Sequence, residues 1–150
     1  LTELQSAIGR IQLQRLPDWT TIRTRNALLL AEALGELTAV RVPLPPEHLT
    51  HAWYKFYAFV QPEALADGWS RDRILTEIAA LGYPALSGSC SEIYLEKCFQ
   101  DAGVAPAQRL PVARELGETS LMFLVHPTIT SDQMTGYAEA VRSVVKRACR

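Results

Sequence analysis

The sequence predicts an α+β domain in which a small, mostly antiparallel sheet is covered by helices. Segments of strand character alternate with segments of helical periodicity, and short turns or loops of varied length join them. Of the 150 residues, 48% are hydrophobic and 21% are charged, which is the ordinary balance of one globular domain. Such a chain can bury a core of its own, and these element types favour a layer of helices on a sheet.

The first predicted element is a helix that begins at Thr2. Thr2 and Gln5 have the spacing of a capping box, in which each side chain binds a backbone amide of the other residue. An apolar stripe at helical spacing follows, made of Leu1, Leu4, Ile8 and Ile11. Gly9, in mid-helix, indicates close approach of another backbone. Pro17 predicts a kink or a restart, with a second helical segment over residues 17–35.

The middle of the chain contains two predicted strands. Residues 40–42 form a short strand that runs into an extended, proline-rich linker at 43–46. Residues 53–60 form the strongest strand pattern of the sequence. Trp53, Tyr57 and Phe59 are predicted to face one way, and Tyr54, Phe56 and Val60 the other. Because both faces are apolar, this strand is predicted to be central and covered on both sides.

Helix and turn signals divide the next fifty residues. Ser70 is predicted to cap a helix that Gly82 ends in a left-handed conformation, and residues 83–86 begin another strand. Pro111 and Gly117 are predicted to bracket a short helix.

The last strand and the last helix complete the predicted layers. Residues 120–125 are a continuous apolar strand, and Thr130 with Gln133 repeats the capping-box spacing. The helix that follows is predicted to bury Met134, Tyr137, Val141, Val144, Val145 and Ala148.

Charge and composition argue against several classes of function. A net charge of −1, without a basic patch interleaved with aromatic residues, argues against nucleic-acid binding. No apolar run approaches about 18 residues and no signal-peptide layout is present, so we expect a cytoplasmic chain with no membrane partner. Three cysteines without a CxxC pair fit a reducing compartment. His48, His51, Cys90 and Cys98 could be drawn as a zinc site, but their spacing matches no zinc-finger pattern.

Five segments carry a family resemblance. In chain order they are TELQSAIGRIQL (2–13), HAWYKF (51–56), SCSEIY (89–94), LPVARELGETSL (110–121) and HPTIT (126–130). Together, and in this order, they resemble the DegT/DnrJ/StrS family of pyridoxal-phosphate aminotransferases that act on keto-sugars attached to nucleotides. The resemblance covers nearly the whole chain.

The resemblance implies a division of labour within a larger enzyme. It makes residues 1–150 the single small, C-terminal domain of a fold-type-I aminotransferase, with residues 1–35 joining it to a large domain. Pyridoxal phosphate, a nucleotide sugar, an amino donor expected to be glutamate, and a homodimer would belong to the complete enzyme, in amino-sugar synthesis for cell-surface polysaccharides or antibiotics.

No catalytic, cofactor-binding or metal-binding residue is predicted within this chain. Lys55, Lys97 and Lys146 lack the Ser-x-Lys pattern that we expect for a lysine bound to the cofactor. Burial could make Lys55 nucleophilic, although a lysine that keeps its ammonium group in water is the commoner case. The chain alone is therefore not expected to catalyse transamination.

Five residues are predicted to face the substrate: Tyr94, Ser89, Glu92, His51 and His126. Tyr94 stands where relatives are expected to carry a histidine near the sugar nucleotide, so its hydroxyl is the leading candidate donor. A half-buried structural tyrosine, and structural histidines, are the alternative interpretation. The alternative for the whole chain is a self-standing α+β module that binds or regulates without catalysis.

Overall fold

The computed structural model describes residues 2–88 and 90–150, which form a four-stranded sheet flanked by helices. The elements are α1 (Glu3–Leu34), β1 (Val40–Arg41), β2 (Phe56–Val60), α2 (Arg71–Ala80), β3 (Ala85–Leu86), α3 (Lys97–Asp101), α4 (Pro111–Thr119), β4 (Ser120–Phe123) and α5 (Ser131–Ala148). Short 3-10 turns lie at Pro62–Ala64 and Ile93–Leu95. The predicted α+β class is confirmed.

The sheet has the strand order β1-β2-β4-β3, and each neighbouring pair is antiparallel. Strand β2 lies between two partners, as predicted for a central strand. In the β2–β4 register, Phe56 lies opposite Phe123 and Ala58 lies opposite Leu121. Because side chains alternate along a strand, these four point to one face of the sheet.

That face is covered by α1, α2 and α5, and the hydrophobic core lies between them and the sheet. It contains Leu30 and Leu34 of α1, Ile74 and Ile78 of α2, and all six residues predicted for the buried face of the last helix. The capping boxes Thr2–Gln5 and Thr130–Gln133 are both present, as is the Ser70 cap. Gly82 ends α2 with a φ of 85°, as predicted.

The opposite face of the sheet meets α4 and the segment that follows β3. Tyr57 and Phe59 project to this side, where Leu116 of α4, Gly88 and Ser120 line a small space beside them. Strand β2 therefore contacts protein on both faces, and this second face positions the candidate site.

Helix α1 runs through Pro17 without a break, so the predicted restart is wrong, while a kink at Pro17 stays a prediction. Pro17 removes one backbone donor, but Leu13 and Pro17 are both exposed, and water can bind the carbonyl that loses its partner. The hydroxyls of Thr20 and Thr21 also donate to the carbonyls of Leu16 and Pro17, at 2.9 and 3.0 Å.

The two halves of α1 differ in burial. Leu4, Ile8 and Ile11 are 72, 49 and 51% exposed, which confirms that this stripe lacks a partner within the chain alone. Apart from its own helix turn, no described part of the chain comes within 4 Å of a Cβ built on Gly9, so the predicted close approach of another backbone does not occur among the described residues. The C-terminal half of α1 packs on α5 instead.

Strand β2 is shorter than the predicted 53–60 because Trp53 has a φ of 47°, outside the extended region. The Trp53 backbone N–H binds His51 Nδ1 at 3.0 Å rather than a neighbouring strand. Trp53 is buried in the core, where its ring stacks on the Phe56 ring at 5.9 Å. It therefore does not share the face of Tyr57 and Phe59 that was predicted for it. Tyr54 is 73% exposed and does not cover the face predicted for it.

Three predicted boundaries on the second face also differ. Gly117 lies inside α4, which continues to Thr119, so it is not the end of that helix. Its role is spatial, since a Cβ there would lie 2.5 Å from the Ser91 hydroxyl oxygen. Strand β3 covers only Ala85–Leu86 of the predicted 83–86, and β4 covers only Ser120–Phe123 of the predicted 120–125.

Candidate functional site

The polar segment after β3, whose described residues are 87, 88 and 90–94, begins directly on the second face of the sheet. The Gly88 N–H donates to Ser120 Oγ at 3.0 Å. A Cβ on Gly88 would lie 2.6 Å from the same oxygen and 3.2 Å from the Tyr57 ring. Only a residue without a side chain lets the backbone approach β4 this closely, so Gly88 sets where the segment begins.

Glu92 holds the centre of a charged cluster beside this segment. Arg109 Nε donates to Glu92 Oε1 at 2.8 Å, and Arg109 Nη2 donates to Glu92 Oε2, so the pair is bidentate. Arg109 Nη2 also donates to Glu118 of α4 at 3.1 Å, and Arg114 Nε donates to the same Glu118 oxygen at 3.0 Å. Hydrogen bonds from Arg109, and then from Tyr94, lower the pKa of Glu92 to about 2.

Tyr94 connects Glu92 to the backbone just before α4. Its hydroxyl donates to Glu92 Oε1 at 2.6 Å and accepts from the Leu110 backbone N–H at 2.9 Å. We call Glu92, Tyr94, Arg109 and Leu110 the Glu92 clasp. Loss of hydration and the hydrogen bond to Glu92 raise the pKa of Tyr94, so the phenol stays protonated at neutral pH. It can donate one hydrogen bond, and here Glu92 receives it.

A cleft of about 600 Å³ opens next to the clasp, between α4 and the β1–β2 edge. Arg109, Arg114 and Glu118 line it together with Arg41, whose guanidinium carbon lies 4.7 Å from the centre of the Phe59 ring. A lining with charges of both signs, aromatic surface and hydrogen-bond donors suits a polar ligand with several hydroxyl or anionic groups.

His51 lies in a different place from the clasp. It lines a second cleft of about 360 Å³ with Trp53, Lys55 and Tyr57, and its ring meets the Trp53 ring edge-on at 4.4 Å. Its Nδ1 accepts from the Trp53 N–H, which leaves Nε2 as the ring nitrogen that can meet a ligand. Phe59 lines both clefts.

His126 lies in the turn before α5. Its Nδ1 is 2.8 Å from the Thr128 hydroxyl, and its carbonyl accepts from the amide of the buried Asn26 at 3.3 Å. The structure thus brings together two of the predicted residues, Tyr94 and Glu92, and places the two histidines elsewhere. Ser89 lies outside the described residues. Substrate contact by any of the five stays a prediction.

Three charged residues of the cluster were missed by the sequence analysis: Arg109, Arg114 and Glu118. The spacing of Arg114 and Glu118, four apart on a helix, is a signal for an ion pair that the sequence does contain. Arg109 and Glu92 are 17 residues apart, and no local pattern links them.

The lysines of the chain lie apart from the clasp, whereas Cys90 lies next to it, with a hydrogen bond to the Glu92 backbone. Lys97 and Lys146 are exposed, and the Lys55 ammonium lies 5.6 Å from the Tyr54 ring centre. All three cysteines are free, and loss of hydration together with Glu96 raises the pKa of the Cys90 thiol, which disfavours its nucleophilic form. Over residues 2–88 and 90–150, no group of three His, Cys, Asp or Glu side chains could hold a metal ion.

No helix among the described residues has both the length and the apolar character needed to cross a membrane.

Two curated proteins are similar to this chain over most of its length. The chain is 24% identical over 132 residues to the erythromycin biosynthesis sensory transduction protein EryC1 of Saccharopolyspora erythraea, covering 88% of this chain and 34% of that protein. It is 24% identical over 148 residues to the dTDP-3-amino-3,4,6-trideoxy-alpha-D-glucose transaminase of Streptomyces venezuelae, covering 98% of this chain and 36% of that protein. The chain therefore spans about a third of the length of these curated relatives.

A solved structure supports the same grouping. The X-ray structure of the aminotransferase from Psychrobacter cryohalolentis superposes with a TM-score of 0.90 at 49% sequence identity, covering 96% of this chain and 38% of that one. The sequence model of the DegT/DnrJ/EryC1/StrS aminotransferase family matches residues 1–142, and the chain belongs to that family.

Proposed function

We propose that this chain is the small, C-terminal domain of a pyridoxal-phosphate-dependent aminotransferase that acts on nucleotide-linked keto-sugars. The observation that carries the proposal is the 0.90 TM-score and 49% identity to the Psychrobacter cryohalolentis aminotransferase, over 96% of this chain but 38% of that one. In this proposal residues 1–150 are one domain, and α1 within residues 1–35 joins it to a large domain that carries the catalytic lysine.

The substrate class rests on the relatives. One is a transaminase whose name specifies a dTDP-linked amino sugar, and another belongs to erythromycin biosynthesis. A nucleotide-linked sugar offers hydroxyls and phosphates, which match the mixed charges of the cleft beside the clasp. Glutamate as amino donor, a homodimer and a cytoplasmic location belong to the same proposal.

In this proposal the cofactor site lies in the large domain, and the lysines of this chain have no part in it. Two of the three lysines are exposed, and the third places its ammonium group by the Tyr54 ring. Members of the family depend on pyridoxal phosphate, which when bound supplies the electron sink for moving an amino group. The part of this chain in the reaction is to bind and orient the sugar nucleotide and to exclude water from the reacting atoms.

The exposed half of α1 supports a larger assembly. Leu4, Ile8 and Ile11 present an apolar stripe, and monomeric proteins seldom leave large contiguous patches of this kind open. In the complete enzyme we expect these side chains to be buried, against the large domain or a second subunit. Sedimentation of the 150-residue chain at several concentrations should show self-association, and a strict monomer would count against this role for the stripe.

The test uses the protein expressed from the complete reading frame, with pyridoxal phosphate, glutamate and a set of nucleotide-linked keto-sugars. We expect release of 2-oxoglutarate and conversion of one sugar to its amine, detected by mass spectrometry. The 150-residue chain is the comparison, and it should bind no cofactor covalently. Covalent cofactor on that chain, lost in Lys55→Arg but kept in Lys146→Arg, would show that the catalytic lysine lies here and would contradict the proposed division of labour.

A further inference from the structure

The Glu92 clasp joins residues 92–94 to residues 109–110, two stretches of chain that contribute no fully buried side chain. None of the described residues from 79 to 118 is buried. This 79–118 lobe includes β3, the Ile93–Leu95 turn, α3 and most of α4. The position of residues 90–94 therefore depends on hydrogen bonds and charge rather than on a core of their own.

Arg109 is the residue on which the clasp converges. It gives two hydrogen bonds to Glu92 and a third to Glu118, so it links the polar segment to α4, which packs against β2. The Glu92 side chain is only 12% exposed, whereas that of Arg109 is 41% exposed. The carboxylate is thus held in a fixed, partly dehydrated position by a group that also reaches the cleft.

Tyr94 links the Glu92–Arg109 pair to the backbone of Leu110. Its hydroxyl bridges Glu92 and the Leu110 N–H, so Glu92, Tyr94 and the start of α4 form one connected hydrogen-bonded unit. Without Arg109, Glu92 would lose both of its arginine hydrogen bonds, and its carboxylate would turn toward water. The Tyr94 ring would then lose the partner that sets its orientation.

We propose that Arg109 is a positioning residue for the sugar-nucleotide contacts of residues 90–94, acting through Glu92 and Tyr94. The inference rests on the proposed function, because it assumes that this segment meets the substrate. The planar, two-pronged guanidinium is what the geometry requires, and a lysine ammonium cannot make the same bidentate pair. Arg109 itself is assigned no chemical step.

The kinetic test uses the complete enzyme with Arg109→Gln and Arg109→Lys. The control is Arg147→Gln, which removes a comparably exposed arginine that pairs with Glu77 between α5 and α2. We expect both Arg109 variants to raise the KM for the nucleotide sugar roughly tenfold or more, since small misplacements of binding groups have large effects. The half-reaction with the amino donor, cofactor loading and the Arg147→Gln enzyme should stay unchanged.

The second measurement is amide hydrogen exchange in the same variants at Leu95 and Glu96, whose N–H groups bind the Glu92 and Ile93 carbonyls, and at Leu110, whose N–H binds the Tyr94 hydroxyl. Faster exchange there in Arg109→Gln, but not in Arg147→Gln, is expected. An unchanged KM, an equal loss in both half-reactions, or unchanged exchange would each overturn the positioning role. Absence of aminotransferase activity in the unaltered enzyme would overturn the proposed function instead, so the two failures are distinguishable.

Discussion

The packed face of the sheet and the 79–118 lobe are stabilised in different ways. On the packed face, α1, α2 and α5 bury Phe56, Phe123 and a continuous set of aliphatic side chains. In the lobe no described residue is buried. Its first part is held by the pairing of β3 with β4 and by Tyr83 and Ala85, which pack against the core, whereas residues 90–118 are joined by the Glu92 clasp and by close contacts at Gly88 and Gly117. Burial supplies most of the free energy of folding, whereas exposed ion pairs supply little. The packed face should therefore determine global stability, and the lobe should determine local geometry.

The largest expected difference between the two regions concerns their phenylalanines. Phe56→Ala should destabilise the chain by roughly 3–5 kcal/mol, because it leaves a cavity between β2 and the helices. Phe99→Ala, on α3 where the residue is 37% exposed, should cost about 1 kcal/mol. Urea unfolding of both variants measures the difference, and similar losses in the two would show that the lobe belongs to the global core.

A smaller effect is expected at the two capping boxes. Thr130→Ala removes the cap of α5, which is packed along its length, and should cost about 1 kcal/mol of global stability. Thr2→Ala removes the same motif from the exposed half of α1, where no described residue before Asn26 is buried.

The Thr2→Ala change should therefore increase exchange of the first-turn amides without shifting the unfolding midpoint. A midpoint shift as large as that of Thr130→Ala would mean that the exposed half of α1 unfolds together with the core.

The acid response of the lobe depends on Glu92. The folded-state pKa of Glu92 lies near 2, below its ordinary value of 4.5, so the carboxylate stabilises the clasp above pH 4.5. That contribution is lost as the pH falls from about 4.5 toward 2, when the proton removes the charge that Arg109 and Tyr94 bind.

Carbon NMR of the Glu92 carboxyl should show this low midpoint, and the protection factor of the Leu110 amide, which compares its exchange with the intrinsic rate at each pH, should fall over the same pH range. Glu92→Gln should remove the larger part of that pH dependence and leave the part that comes from Glu118, whose pKa is also lowered, by Arg114 and Arg109. If the variant keeps the same acid response, another group controls the lobe.

The smallest global effect is expected for Tyr94→Phe. The hydroxyl binds Glu92 and the Leu110 N–H, so its loss should speed exchange of the Leu110 amide while the thermal midpoint changes little. In the complete enzyme the same change should reduce turnover of the sugar nucleotide and leave cofactor loading intact. A loss of stability as large as that of Phe56→Ala would contradict both the local role of the clasp and the substrate-facing prediction for Tyr94.

Much of the packed face could be predicted from the sequence. The α+β class, the central position of β2, both capping boxes and the six buried residues of α5 are all confirmed. Predictions from the residue type alone were wrong at positions where exposure to water or close contact with another segment decides what the residue does. Pro17 is tolerated because its helix turn is exposed, and Gly117 serves a close contact with Ser91 rather than a helix end.

The candidate site was only partly predictable. Tyr94 and Glu92 could be selected because a polar segment stood where the family resemblance placed substrate contacts. Their mutual hydrogen bond and the partner of both, Arg109, could not be selected, since nothing in a local window connects residue 92 with residue 109. His51 and His126 were grouped with them by residue type, and the chain path places them elsewhere.

The sequence by itself determined the features that depend on neighbours three or four residues away: the helix caps, the apolar stripes and the buried face of the last helix. Only the tertiary structure decided which face of β2 meets α4, how closely Gly88 approaches Ser120, and that Arg109 joins Glu92 to Glu118. The physical reason is the range of the interactions. A capping hydroxyl binds an amide within its own turn, whereas an ion pair across 17 residues exists only once the strands and α4 have brought its partners together.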